Sequence, residues 1–415
     1  MDPWVYSANH GSWAGTKKGA QHIYNSLKKK AIDYIYYSHL HTDHYDEKFL
    51  ANLAKKNNKV ITIIVKKFKD QRLKKKILSS RIKNIRIKEV DAYQKLVLSD
   101  NSKFWILPQL SSSNTPNYFI NYDLDTSCIF QNEDLSLFNQ TDNPYSEKDI
   151  DLIKKNLIKN NIPNNFDISF IPYCAASPYP QNFVNINRDK IKKKIIKILV
   201  LKFFKISKKL KSKFTIPAGG SYKLDKNFRK LNKYLAIPSF KLIYNIKKKI
   251  KSNINLIDTN KKFFSFSRKI CELKKKKFNY FFNDRILTKK KITYPNCKPF
   301  DKKNILTDLA KLENQLPEWK KNVYKRCKSE IQLQIYKDDI KDKKTLKKKD
   351  FVNHKINFGN KSKKIFLKIL VNYKLLYAII NGKIIFNEVE THLLYSRKPN
   401  IYDPDVVFWM NLYKN

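Results

Sequence analysis

His39, His41, Asp43 and His44 form an H-x-H-x-D-H cluster that follows the apolar run Ala31 to Tyr37. On an extended backbone, residues two apart point the same way, so the imidazoles of His39 and His41 leave the chain on one side. Asp43 and His44 come next, at the mouth of a helical segment beginning near Asp46. Imidazole nitrogen and carboxylate oxygen are the ligands that Zn²⁺ accepts, and iron and manganese take the same types. The spacing predicts a centre for one or two ions, with His39 and His41 sharing one and Asp43 and His44 the other. A loop that is histidine-rich by accident is the weaker alternative, because three of the seven His fall within this one stretch. The chemistry expected of such a centre is hydrolysis, in which a metal-acidified water attacks an ester, lactone, amide or phosphodiester and Asp43 orients the attacking oxygen.

The cluster resembles the metal-binding signature of the metallo-β-lactamase superfamily, in which a strand runs into H-x-H-x-D-H and then a helix. Its neighbours narrow the resemblance. Asp2-Pro3-Trp4, followed by Gly11-Ser12-Trp13, is similar to the D-P-W…W opening of one branch. That branch holds the L-ascorbate-6-phosphate lactonase-like proteins and the metallo-β-lactamase-fold domain of CMP-N-acetylneuraminate hydroxylase. Asp125-Thr126-Ser127 with Asn132-Glu133-Asp134 resembles its D-S…N-x-N-D run, and Tyr173 to Pro180 resembles its small-residue loop ending in Y-P. Phe214 to Gly219 is similar to the V-P-F-A-G stretch of the final core strand, and Arg397 to Pro404 to an R-x-P-D-x-Y-x-P stretch of hydroxylase-like members.

The resemblance implies an αββα sandwich with metals at one end of the sheets, and it makes Asp134 the bridging carboxylate. It also implies that the loop carrying Tyr173, Ser177 and Tyr179 faces the metals and offers hydroxyl donors to substrate. The superfamily usually adds one His between the signature and the bridging Asp and another after it. Here no His stands between Tyr45 and Asp134, and only His354 and His392 follow. His10 and His22 lie upstream, and His10, in the loop before Trp13, is expected near the substrate.

Composition sets the outer limits. At 415 residues the chain is long for one domain, and 42% hydrophobic with 13% aromatic residues is enough for a real core. A formal charge of +50 usually points to nucleic acid or an anionic membrane. Only nine of the 86 basic residues are Arg, however, and the abundance of Lys, Asn and Ile is what AT-rich codons produce. Arg is the better bidentate partner for phosphate, so a solvated Lys surface is favoured over a nucleic-acid footprint, with local positive potential drawing in an anionic small molecule. The five cysteines stand far apart with no C-x-x-C pair, and no apolar stretch is long enough to span a membrane; both indicate a cytoplasmic protein. No C-x-H…C-x-x-H pair occurs, so an iron–sulfur site of the Rieske kind would have to come from a separate partner chain.

The elements that must position the cluster are legible in outline. Val60 to Val65 is a β-branched run expected to be a buried strand, and Asn84 to Val90 follows a short basic helix. Residues 95 to 110 and 118 to 131 read as hairpins, Asp167 to Pro172 as a strand delivering the Tyr173 loop, and Asp189 to Leu210 as a long basic helix lying on a sheet. Domain bounds follow: 1–240 as the metal-binding α/β domain, lacking a first strand that relatives carry, 241–300 as Lys- and aromatic-rich decoration, and 301–415 as a small α+β unit. In that last unit, helix spacing runs from Ile305 to Ile335, and strands are expected over Ile365 to Leu370, Leu375 to Ile380 and Lys383 to Phe386, the last two joined by Asn381-Gly382.

Three functions fit these residues. The first is a metal-dependent hydrolase, lactonase- or esterase-like, acting on an anionic small molecule such as a sugar phosphate or sugar nucleotide. The second is a sugar-nucleotide-modifying protein related to the hydroxylase and lacking its own Rieske domain. The third is a nonhydrolytic or nucleic-acid-processing member of the fold.

Overall fold

The computed structural model of the chain describes residues 1–6, 8–9, 12–15, 24–25, 31–68, 71–110, 125–174, 176–219, 222–258, 294–295, 298–318, 321–322, 329–337, 351–356, 365–381, 383–384 and 389–398. Most of the 241–300 decoration, His10 and His22 lie outside the described residues, as does the segment 399–415.

The first half builds two sheets. β1 (Tyr34–Tyr36), β2 (Ile61–Lys66) and β3 (Ile85–Val90) pair in parallel in that order, with α1 (Glu47–Lys56) and α2 (Arg72–Ser79) as the crossovers. Every residue of β2 is buried, as expected of a central parallel strand covered on both faces. Its alternation assigns the faces: Ile61, Ile63 and Val65 join Phe49, Leu50, Leu53, Leu73 and Ile77 of the helices. Ile64, with Tyr36 and Val90, meets Phe104, Ile106 and Cys128 of the next sheet.

That second sheet has the order β4 (Leu96–Val97), β5 (Lys103–Pro108), β6 (Thr126–Gln131), β7 (Ser136–Asn139), β8 (Ile168–Pro172) and β9 (Phe214–Ala218). It is antiparallel up to β7 and parallel from β7 to β9. On its far face Trp105, Leu107, Ile129 and Phe138 pack on α3 (Glu147–Lys159), α4 (Arg188–Leu210) and α5 (Phe240–Lys249). The basic helix predicted from Asp189 is α4, and it lies on this sheet through Val200, Phe203, Phe204, Ile206 and Leu210. Among the described residues no helix is long and apolar enough to cross a membrane. Cys128 and Cys174 are buried free thiols; the other three cysteines are not among the described residues.

The C-terminal unit has α6 (Lys302–Asn314), β10 (Ser329–Tyr336), β11 (Phe351–Lys355), β12 (Ile365–Asn372), α7 (Tyr373–Ile380) and β13 (Leu394–Lys398), with sheet order β11-β10-β12-β13. Two expectations are corrected here. The helix expected from Ile305 to Ile335 stops at Asn314, and its last residues, from Ser329 on, belong to the strand β10. The strand expected over Leu375 to Ile380 is the helix α7, capped by the Asn372 side chain accepting from Lys374 N. A short, continuous apolar run has no periodicity to separate a buried strand from a buried helix, and burial of Leu375, Leu376, Tyr377, Ala378 and Ile379 inside the unit's core decides it. The outer edge of β13 pairs with the first half of the chain: Tyr395 N donates to Asn182 O at 3.0 Å and Val184 N to Tyr395 O at 2.9 Å.

Asp46 ties the start of the chain to this frame. Its Oδ1 caps α1 by accepting from Phe49 N at 2.9 Å, and its Oδ2 accepts from Val5 N at 3.1 Å and Tyr6 N at 2.7 Å. Burial pushes its carboxyl up, against the pull of these three donors. Asp46→Ala should therefore destabilise the protein by about 3 kcal/mol, the sum of a lost cap and of stranded N–H groups. The check is a lower urea midpoint at unchanged slope. A loss below about 0.5 kcal/mol would show that water replaces the carboxylate at no cost.

Candidate metal centre

The centre forms where the strands end. β1 delivers Ser38 and His39, and the chain then turns sharply, with His44 N and Tyr45 N both donating to His41 O at 2.9 and 2.7 Å. The turn folds His44 back over His39, ring centroids 4.1 Å apart, while His41 stands edge-on to His39 at 4.4 Å. Asp125 enters from the start of β6 and Asp142 from just beyond β7. The neighbouring pair Cys128 and Asn139 places both at the same end of the antiparallel ladder. Thr126 locks the two sheets together here: its hydroxyl donates to Ser38 O at 2.7 Å and accepts from Tyr36 OH at 2.5 Å.

Two groups of donors converge among the described residues: His39, His41 and Asp125, and His39, His44 and Asp142, each with its ligand atoms within 4.8 Å of one another. His39 Nε2 lies 2.8 Å from His41 Nδ1 and 3.6 Å from Asp125 Oδ1. His44 Nε2 lies 3.2 Å from Asp142 Oδ2 and 3.8 Å from Asp43 Oδ2. The far ring nitrogens are held from behind. His44 Nδ1 sits 3.1 Å from Asp2 Oδ2, and His39 Nδ1 sits 2.8 Å from Ser38 Oγ. A carboxylate behind one imidazole nitrogen accepts a hydrogen bond from its N–H and so directs the other nitrogen inward, the arrangement that orients metal-binding histidines. Asp2 also accepts from Ser38 N at 2.7 Å, so one side chain aligns both His44 and the strand end.

Electrostatics agree with a site built for a cation. Burial, then the neighbouring His44 and His41, drives His39 well below the usual imidazole range, which keeps it neutral and able to ligate. Burial alone would do the same to His44, but Asp142, Asp43 and Asp2 draw it well above that range. Asp125 is pushed up to about 6 by burial, and its buried Oδ1 has no hydrogen-bond partner among the described residues. A buried carboxylate oxygen without a donor is costly, and a metal ion would satisfy it. The residues present thus fit a metal: nitrogen and oxygen donors, aimed tautomers and an orphaned acceptor.

Asp134 is a correction. It lies exposed in the turn between β6 and β7, at the opposite end of the hairpin from Asp125 and Asp142. Asn132 makes that turn by accepting from Asp134 N and Leu135 N at 3.0 and 2.7 Å, so the Asn132–Asp134 run is turn chemistry. The acid that reaches the cluster is Asp142, which the same N-x-x-D spacing from Asn139 at the exit of an apolar strand would have found. Next to it Thr141 holds φ at +52°, a conformation costly for a β-branched residue, stabilised by its hydroxyl donating to Thr126 O and by Asn139 Oδ1 accepting from Thr141 N. The pairing of donors also differs from expectation, since Asp43 belongs to neither compact group. The Tyr173 loop starts at this end of the sheet, and Cys174 is its residue within electrostatic reach of Asp142. Tyr173 packs on the helix-covered core, Ser177 Oγ accepts from Tyr179 N, and the Tyr179 ring meets Phe183 edge-on at 4.9 Å.

No protein-family model matches the chain, and no curated protein does. Among solved structures, an isothiocyanate hydrolase from Delia radicum gut bacteria matches at 13% identity with a TM-score of 0.37, over 62% of this chain and 88% of its own. A candidate metal-dependent hydrolase of Parabacteroides distasonis matches at 15% identity and 0.33, over 56% and 78%. A metallo-β-lactamase fold protein of Bacillus subtilis matches at 10% identity and 0.33, over 59% and 83%. Likeness this distant carries no argument, and the reading of the site stands on its donors.

Purified protein should carry roughly one to two equivalents of zinc, iron or manganese by elemental analysis. His39→Ala should remove it all, because both donor groups use His39, and Asp142→Asn should remove part. Asp134→Asn should match wild type. Equal metal in wild type and His39→Ala would sink the assignment.

Proposed function

We propose that the chain is a metal-dependent hydrolase of the metallo-β-lactamase kind, its first 240 residues forming an αββα sandwich and residues 301–415 a C-terminal unit. The observation that carries this reading is the convergence of three imidazoles and three carboxylates at the strand ends, with Asp125 Oδ1 buried and without a hydrogen-bond partner among the described residues. His39 would hold an ion with His41 and Asp125 or with His44 and Asp142, and Asp43 stands beside the second group. Zinc is the ion best matched to this donor set, with iron or manganese as alternatives. When bound, the metal supplies a Lewis acid that lowers the pKa of water and stabilises developing negative charge.

The chain's own groups do the rest. Asp43, whose carboxyl burial pushes up, is placed to accept the proton of the attacking water and to fix its direction. Asp2 and Ser38 hold the outer ring nitrogens of His44 and His39, which directs their inward nitrogens at the centre. His10 and the hydroxyls of Tyr173, Ser177 and Tyr179 would contact substrate. The substrate is an anionic small molecule, a sugar phosphate or sugar nucleotide, concentrated by the field of a chain with a formal charge of +50.

A panel of lactones, phosphomonoesters, phosphodiesters and sugar nucleotides, run before and after chelation, tests this. Chelated protein should be inactive and recover with zinc, anionic substrates should show kcat/KM falling as salt rises, and Asp43→Asn should lower kcat by about 100-fold or more with metal retained. Absence of hydrolysis across the panel would leave a sugar-nucleotide-modifying role with a separate iron–sulfur partner. Salt-sensitive binding of RNA tighter than about micromolar would instead favour nucleic-acid processing.

A further inference from the structure

A histidine of the C-terminal unit reaches Asn9, the residue that bonds the signature loop. His392 ends the 3₁₀ turn Glu390–His392 and is buried. Its Nε2 lies 3.0 Å from Asn9 O, a carbonyl that can only accept, so this nitrogen carries the proton. Its Nδ1 meets the Tyr294 hydroxyl at 2.9 Å, and Phe228 lies against the ring at 5.0 Å. Asn9 passes the contact on: its backbone N donates to Thr42 Oγ1 at 2.9 Å, and its Oδ1 accepts from the Thr42 hydroxyl at 3.1 Å. Thr42 is the residue between His41 and Asp43. A parallel tie joins Ser12 Oγ and Thr391 Oγ1 at 2.7 Å, both side chains buried, while Ser12 N donates to the same Asn9 carbonyl at 3.0 Å.

We propose that His392 is a positioning residue for the metal centre, holding Asn9 and through it Thr42, so that the C-terminal unit fixes where His41 and Asp43 stand. Both ring nitrogens are bonded, and the partner of one, Asn9, is itself bonded twice to Thr42. The contact joins segments 383 residues apart in sequence, and it lands on Asn9, which bonds Thr42 of the loop that carries the donors. Hydrogen-bonded groups behind metal ligands set affinity by fixing the ligands' direction, and Thr42 acts on two of them at once.

The inference rests on the metal reading, so its test uses two readouts on the full chain: zinc affinity by chelator competition, and hydrogen exchange of the His44 and Tyr45 amides in metal-free protein. His392→Phe and Thr42→Val should each weaken zinc binding about 10- to 100-fold. The double variant should be no worse than the weaker single, because both cut one relay. His392→Gln, which keeps an N–H donor, should recover most of the affinity. His354→Gln, which removes the imidazole paired with Glu313 within the same unit, should leave affinity unchanged. Exchange at His44 and Tyr45 should quicken in His392→Phe and Thr42→Val while that of β12 stays constant. Wild-type affinity in both single variants, additive losses, or an equal loss in His354→Gln would overturn the proposal. Should wild type bind no zinc, the metal reading fails, and the exchange rates alone decide whether the relay exists.

Discussion

Acids and imidazoles packed together away from water can share a space only if their charges are balanced, and the rest of this structure serves that balance. Asp2, Asp43, Asp125 and Asp142 crowd around His39, His41 and His44. Burial drives the carboxyls of Asp43 and Asp125 upward, and repulsion from the neighbouring carboxylates adds to it. The same crowding holds His44 far above its ordinary range and, through His44, pulls Asp142 down against burial. The arrangement is stable only with positive charge in its middle, supplied by a proton on His44 or by a metal.

Holding that cluster open falls to a short stretch at the start of the chain. Residues 2 to 13 bond to the end of β1 through Asp2, to the cap of α1 through Val5 and Tyr6, and to the signature loop through Asn9. Trp13 then stacks on Tyr222 at 3.9 Å, beyond β9. Gly219, which follows β9, lies against Asp142: a Cβ there would sit 3.5 Å from Asp142 Oδ1, and its φ of +77° is one that side chains rarely adopt. The strand ends therefore present the donors, and the loops around them decide the spacing.

What could be read from the sequence was what is local. The H-x-H-x-D-H cluster declares itself within six positions, and β2, β3, β8, β9 and α4 follow from runs whose period matches their burial. The assignment of Asp134 failed because a motif says nothing about which end of a hairpin it occupies; the Asn132 turn placed it away from the donors. The reading of α7 as a strand failed because an apolar run that short is buried either way. Asp125 stood in a quoted motif without a role, and only the register of β6 against β7 shows it beside Asp142. His392 carried no local signal at all, since its partners Asn9 and Tyr294 are hundreds and about one hundred residues distant.

The pairing of β13 with the segment around Asn182 has a consequence for how the chain is made. Asn182 and Leu393 are 211 residues apart and both are needed to close that edge. At ribosomal speeds of about 5–20 residues per second, the Asn182 side chain and carbonyl wait roughly 10–40 s for their partners. Over that interval the two sheets of the first half can assemble, but the segment from Asn182 to Val184 still lacks its partner β13, and the loop at Asn9 lacks its contact from His392. The signature loop thus reaches its final support only after His392 has been made, so the ordering of the donors is tied to that distant segment and not only to the folding of the segment that carries them.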